Sequence, residues 1–249
     1  MPLIEHLLEL RNRLLRAVIA VVIALIVIYP FANTLYAALS EPLRAYLPEG
    51  ASMIATEVTS PFFTPFKLAL VAAIFLAIPY VLYQAWSFIA PGLYQNEKRL
   101  AIPLLVSSVL LFYLGAVFAY FVVFPLVFGF FTSMAPEGVT VMTDISAYLD
   151  FVLKMFFAFG LAFEIPIATV LLVIAGVVSA KELAEKRPYI VVGCFVVGML
   201  LTPPDIFSQT LLAVPMWLLF EVGVFFGRLI ERRRAKAEGE ATEPPSADA

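Results

Sequence analysis

The chain has 249 residues, of which 62% are apolar and only 14% charged, with a mean hydropathy of +0.97. A soluble domain carries about 25% charged residues, so composition excludes the ordinary globular classes and indicates a polytopic membrane protein. One cysteine, Cys194, and one histidine, His6, exclude an intramolecular disulfide and a Cys/His metal site, and no cofactor or nucleic-acid partner is expected.

Residues 1–16 read as an amphipathic segment on the cytoplasmic surface. Ile4, Leu7, Leu8, Leu14 and Leu15 make an apolar stripe, and Glu5, Glu9, Arg13 and Arg16 occupy the remainder. Glu9 and Arg13 stand at i,i+4 in the favoured order, so the modest reading is an intrahelical ion pair of about 0.2–0.5 kcal/mol. The acids argue against a cleaved signal peptide and for a retained first span.

Residues 17–230 read as a membrane domain of six helices near 17–38, 66–88, 102–128, 148–176, 189–202 and 206–227. The long stretch 40–65 is rich in apolar residues and is expected to cap the outer ends of the helices. The fifth helix is short, with about fourteen residues between Pro188 and Thr202, where a 30 Å core asks for roughly 20. It requires a thinned bilayer or shelter behind its neighbours. Pro79, Pro166 and Pro215 fall inside spans and predict bends that give the bundle a concave face. Residues 231–249 are polar and lack apolar periodicity, which predicts a disordered cytoplasmic tail.

Thirteen of the sixteen basic residues fall before the first span, between the second and third, between the fourth and fifth, and after the sixth. The opposite loops hold Arg44 alone, while Lys67 and Lys154 stand at the outer ends of spans. This asymmetry places both termini in the cytoplasm.

Three polar features stand out against this background. Glu164 lies alone in FFAFGLAFEIPIATVLLVIAG, where a charged residue costs roughly 2.5–3.5 kcal/mol on insertion scales. In SFIAPGLYQNEKRL, Phe88 and the loop acid Glu97 join Glu9 on the same predicted side, and a pair of acids on a face dominated by positive charge suits a cationic ligand. In GMLLTPPDIFSQT, Met199, Thr202 and Gln209 flank a Pro-Pro turn; a helix stop with an N-capping Asp205 explains most of it, and Gln209 is able to hydrogen-bond another membrane helix.

EHLLELRNRL, SPFFTPFK, FIAPGLYQNEKR, FGLAFEIP and TPPDIFSQTLLAVPMWLLFE, in this order, resemble the C subunit of the twin-arginine protein translocase, the TatC family, over residues 4–228. The resemblance implies an all-α, six-helix cup that recognises Arg-Arg signal peptides of folded cargo and hydrolyses nothing. It also implies transport driven by the proton-motive force, in an oligomeric complex with single-span TatA- and TatB-type partners in a prokaryotic inner membrane. Its roles fall on Glu9 and Glu97, with Phe88 and Arg13 beside them, for signal binding, and on Glu164, Met199, Thr202 and Gln209 for partner contacts or the polar interior.

Without the resemblance, an ion-coupled secondary transporter using Glu164 as proton carrier stands as the rival reading. The spans offer it neither a second intramembrane acid–base partner nor an internal repeat. No HExxH or GxSxG motif supports a hydrolase.

Overall fold

The computed structural model describes residues 3–44, 53–89, 98–134, 142–201 and 206–242. The described residues are almost entirely helical, with one isolated parallel bridge between Ile54 and Asp144. Five helical segments among them are long and apolar enough to cross a bilayer, and a shorter apolar helix stands at the position of the fifth predicted span.

The helix α1 (Leu3–Ile28) runs without a break from the amphipathic segment into the apolar stretch. No boundary falls near residue 16, because EHLLELRNRLLR is built from strong helix formers and nothing in it stops the helix. Pro30 then tightens one turn at Tyr29–Phe31, and the chain continues as α2 (Ala32–Arg44). The next helix, α3 (Ser60–Ile89), begins six residues earlier than its predicted span and contains Pro65 and Pro79. Pro61 sits in its first turn, where a missing N–H costs nothing.

Two of the later spans are locally distorted. α4 (Lys98–Phe118) passes through a wide turn at Ala119–Val123 into α5 (Phe124–Ser133), the turn lying just before Pro125. α6 (Ile145–Ala162) and α7 (Ile165–Ile174) together fill the span predicted over 148–176, and the bend predicted at Pro166 takes the form of a short interruption. Pro166 lacks an N–H and its ring meets the carbonyl of Ala162, so the helix ends there and restarts after Phe163 and Glu164. Gly176, at φ 67°, closes α7 in the left-handed conformation that favours glycine. α8 (Ala180–Glu185) carries a Ser179/Glu182 capping box, and α9 (Arg187–Leu201) follows.

The last helix, α10 (Ile206–Thr242), corrects the expectation of a disordered tail from residue 231. ERRRAKAEGEA is polar but rich in Arg, Lys, Glu and Ala, which propagate a helix already nucleated in the membrane. The remaining tail, 243–249, lies outside the described residues.

Packing produces two units. α1 lies along α3, and α3 and α6 both pack on α4, around a core of Phe124, Phe128, Tyr148, Met155 and Phe159. α7 and α9 pack on α10, with Val173, Phe220 and Val224 between them. Small residues permit close backbone approach. A Cβ on Gly115 would stand 2.4 Å from the Phe159 carbonyl oxygen, and one on Gly223 would stand 2.9 Å from Cα of Pro166. The antiparallel succession leaves the start of α1, the end of α3 and the late part of α10 at one end of the bundle, here called the terminal face.

At the opposite end Met53–Thr59, just before α3, forms a cap. Ile54 N–H donates to Thr143 O at 3.0 Å, and Ile145 N–H donates to Ile54 O at 2.9 Å. Asp144 caps α6 through Oδ1, which accepts from the N–H groups of Ser146 and Ala147 at 2.9 and 3.0 Å. Its Oδ2 accepts from Thr56 N–H at 2.9 Å and from the Thr56 hydroxyl at 2.7 Å. These donors hold its carboxyl down at about 2, from an ordinary 3.8. The linkage has one sign. The tether is fully present above pH 3.8 and is lost as pH falls toward 2. Amide exchange at Ile54 and Thr56 is predicted to stay slow down to that window, and Asp144→Ala to speed it at neutral pH; unchanged exchange in the variant would show that Asp144 does not hold the cap.

Candidate functional site

On the terminal face, α1 presents a shallow pocket of about 410 Å³ lined by Glu5, Leu8, Glu9, Asn12, Arg13 and Arg16. Arg13 Nε donates to Glu9 Oε1 at 2.9 Å, and a second guanidinium nitrogen donates to the same oxygen at 2.5 Å. The i,i+4 pair read from the sequence is therefore formed. Both bonds fall on Oε1, so Oε2 is left without a partner among the described residues. Arg11 is turned to Asn12 Oδ1, at 3.2 Å, and does not compete.

His6, one turn before Glu9, stacks on Phe88 near the end of α3, with ring centroids 4.2 Å apart and planes inclined by 23°. This contact fixes the α1 and α3 ends side by side and places Phe88 beside the Glu9 turn. Sequence analysis singled out Phe88 but gave His6 no role; an exposed lone histidine on an amphipathic helix carries no signal of its partner. Glu97 lies outside the described residues, and the chain enters α4 at Lys98, the residue after it.

The second polar locus is Glu164, in the break between α6 and α7. Ser108 Oγ of α4 donates to Glu164 Oε2 at 2.7 Å, and Trp86 Nε1 of α3 points at Ser108 Oγ at 3.4 Å. Ser108 and Trp86 are buried, and Glu164 is half-buried. Glu164 Oε1 is buried with no hydrogen-bond partner among the described residues. Thus the acid is joined to two helices of the first unit while standing at the start of the second. Neither Ser108 nor Trp86 was foreseen, because the contact joins residues 56 apart and a serine in a membrane helix most often bonds its own backbone.

Met199 is half-exposed on α9, and Gln209 is half-buried near the start of α10, where its backbone lies against Gly198. Thr202 lies outside the described residues. α9 and α10 are clamped further in by Arg187, whose Nε and a terminal nitrogen donate to the two oxygens of Glu221 at 2.6 Å each. That bidentate pair was not anticipated either, although Glu221 closes a motif singled out in the sequence.

The helical architecture, with five bilayer-length segments, a short sixth helix and polar groups confined to a few internal points, defines a polytopic α-helical membrane protein. The family model for the Sec-independent protein translocase protein TatC matches residues 5–215. A TatC from Azotobacter chroococcum is 64% identical over 245 residues, covering 98% of this chain and 96% of that one. One from Escherichia coli K12 is 60% identical over 227 residues, covering 91% and 88%. A crystal structure of the twin-arginine translocase receptor TatC superposes with a TM-score of 0.81 at 41% identity, covering 90% of this chain and 98% of that one. The chain belongs to the TatC family of Sec-independent protein translocase proteins: it is a membrane translocase component, not an enzyme.

The Ser108–Glu164 contact is open to a double-mutant test. Ser108→Ala strands the carboxyl group without a donor and is predicted to lower stability by about 1–3 kcal/mol, whereas Glu164→Gln keeps an acceptor and costs less. The double variant Ser108→Ala/Glu164→Leu removes both partners and is predicted to recover much of the loss. Melting temperatures of the purified protein in detergent check this. Additive losses in the double variant would mean the two side chains do not act on each other.

Proposed function

We propose that the terminal face is the cytoplasmic docking face for twin-arginine signal peptides, read by Glu9 and Glu97 with Phe88 and Arg13 alongside. The observation that carries this reading is the half-engaged Glu9. Arg13 orients the carboxyl group through one oxygen and leaves the other without a partner among the described residues, on a side chain that lines the α1 pocket one turn from the His6–Phe88 stack. A guanidinium is planar and forms parallel hydrogen bonds to carboxylates, which a lysine ammonium does not reproduce, so two separated acids discriminate Arg-Arg from Lys-Lys. Arg13 is also able to yield Glu9 to an incoming arginine, because the exchange replaces one guanidinium by another.

In this reading the apolar part of the signal enters the membrane-facing groove. TatA- and TatB-type single-span partners assemble in an oligomeric complex against the polar points Glu164, Met199, Thr202 and Gln209, and the proton-motive force drives export across a prokaryotic inner membrane. Membership of the family and the similarity to a solved translocase receptor support this. The buried, unpartnered Oε1 of Glu164 supplies an acceptor for a partner's polar side chain or for water.

Signal-peptide crosslinking to the detergent-solubilised protein tests the proposal. Glu97→Ala is predicted to abolish the preference for Arg-Arg over Lys-Lys. Loss of one charge-assisted contact corresponds to about ten- to a hundredfold in affinity. Glu9→Ala is predicted to be milder, since Arg13 already occupies part of that carboxyl group. If Glu97→Ala discriminates as strongly as the parent, the arginine pair is read elsewhere.

A further inference from the structure

Three charged side chains, Lys67 on α3 and Asp150 and Lys154 on α6, line the mouth of an apolar groove of about 710 Å³ whose wall includes Leu161, Leu200 and Met216. Lys67 Nζ donates to Asp150 Oδ1 at 2.6 Å. Lys154 stands one turn beyond Asp150, is exposed, and forms no ion pair among the described residues. The groove therefore carries two cations against one acid, inside a helix where an uncompensated charge is costly.

The depth of this charge identifies its counter-ion. Lys154 follows Ile145, the first residue of α6, by nine residues, which at 1.5 Å per residue sets its Cα about 14 Å into the helix. That is too deep for bulk solvent at an undistorted interface. The neighbouring α9, however, has only fifteen residues, a length of about 22 Å against a hydrocarbon core of roughly 30 Å. Val192, Val196 and Leu200 on it are exposed, so lipid borders this helix. A bilayer matched to α9 is thinner here by about 8 Å. Shared between the two leaflets, this brings a headgroup on the cap side inward by about 4 Å, toward the long stem of Lys154, which reaches outward to meet it.

We propose that the groove is a binding site for a glycerophospholipid of the leaflet on the cap side. The lipid phosphate is held by Lys154, with Lys67 oriented by Asp150 as the second cation, and an acyl chain lies along Leu161, Leu200 and Met216. Charge complementarity selects this occupant: a monoanionic phosphodiester balances the groove, and an acyl chain matches its apolar wall. The proposal is independent of how the terminal face reads its ligand.

Native mass spectrometry of the purified full chain, titrated with dioleoylphosphatidylglycerol, tests it. The parent is predicted to retain the lipid, Lys154→Gln to bind it about ten- to a hundredfold more weakly, and Lys154→Arg to bind it like the parent. Lys181→Gln, on α8 away from the groove, is predicted to change nothing. Equal retention by Lys154→Gln and the parent would overturn the assignment. So would photo-crosslinking from position 154 in native membranes that captures a polypeptide in place of lipid, since the groove would then be a helix-docking surface.

Discussion

Glu164 has to be hydrogen-bonded inside a segment that offers almost no polar groups, and the bundle is arranged around that requirement. The break before Pro166 frees the backbone at Phe163 and Glu164, and the side chain reaches Ser108. Because Ser108 belongs to the unit of α1, α3, α4 and α6, and Glu164 begins the unit of α7, α9 and α10, this hydrogen bond spans the joint between the two, beside apolar contacts of Leu212 with the first core and of Ala162 with Cys194, Ala213 and Met216. Close backbone contacts stabilise each unit internally: Gly115 against Phe159 in the first, Gly223 against Pro166 in the second. A side chain at either glycine would force the helices apart, so their spacing is set by sequence.

The joint also bears on function. The remaining oxygen of Glu164 is buried and unpartnered, which is an unusual arrangement because such groups are nearly always satisfied. Under the proposed function, an acceptor held between two units would give a partner helix a hydrogen bond that lipid cannot supply. The short α9 acts in the same direction. Its length draws the bilayer inward beside the groove, and the charges of Lys67, Asp150 and Lys154 are placed where headgroups would then lie.

Much of the architecture was legible because a bilayer imposes coarse rules. Apolar windows located the bilayer-length helices, and Pro188 with the Pro-Pro turn bounded the short one, whereas the polar α8 falls in no window. Glu9–Arg13 was readable because i,i+4 pairs need no tertiary information. The bend read from Pro166 is present and sharper than a kink, interrupting the span at Phe163 and Glu164. The misses have physical causes. The tail after residue 231 was judged on polarity, when the property that decides its first part is helix propensity. The partners of Glu164, His6 and Glu221 lie on other helices, and no local pattern in the chain announces Ser108, Phe88 or Arg187.

The proposed docking face requires the terminal face to lie in the cytoplasm, since an acid pair there would meet undelivered precursors only on that side. Val58 in the cap is 99% exposed, whereas the native Cys194 is buried. A single cysteine introduced at Val58, in a chain whose Cys194 is replaced by alanine, reports the orientation through a membrane-impermeant thiol reagent. The account predicts labelling from the outer side of the inner membrane in intact spheroplasts. Labelling only after the membrane is opened would put the cap inside the cell and the Glu9 face outside it, and would contradict the central claim.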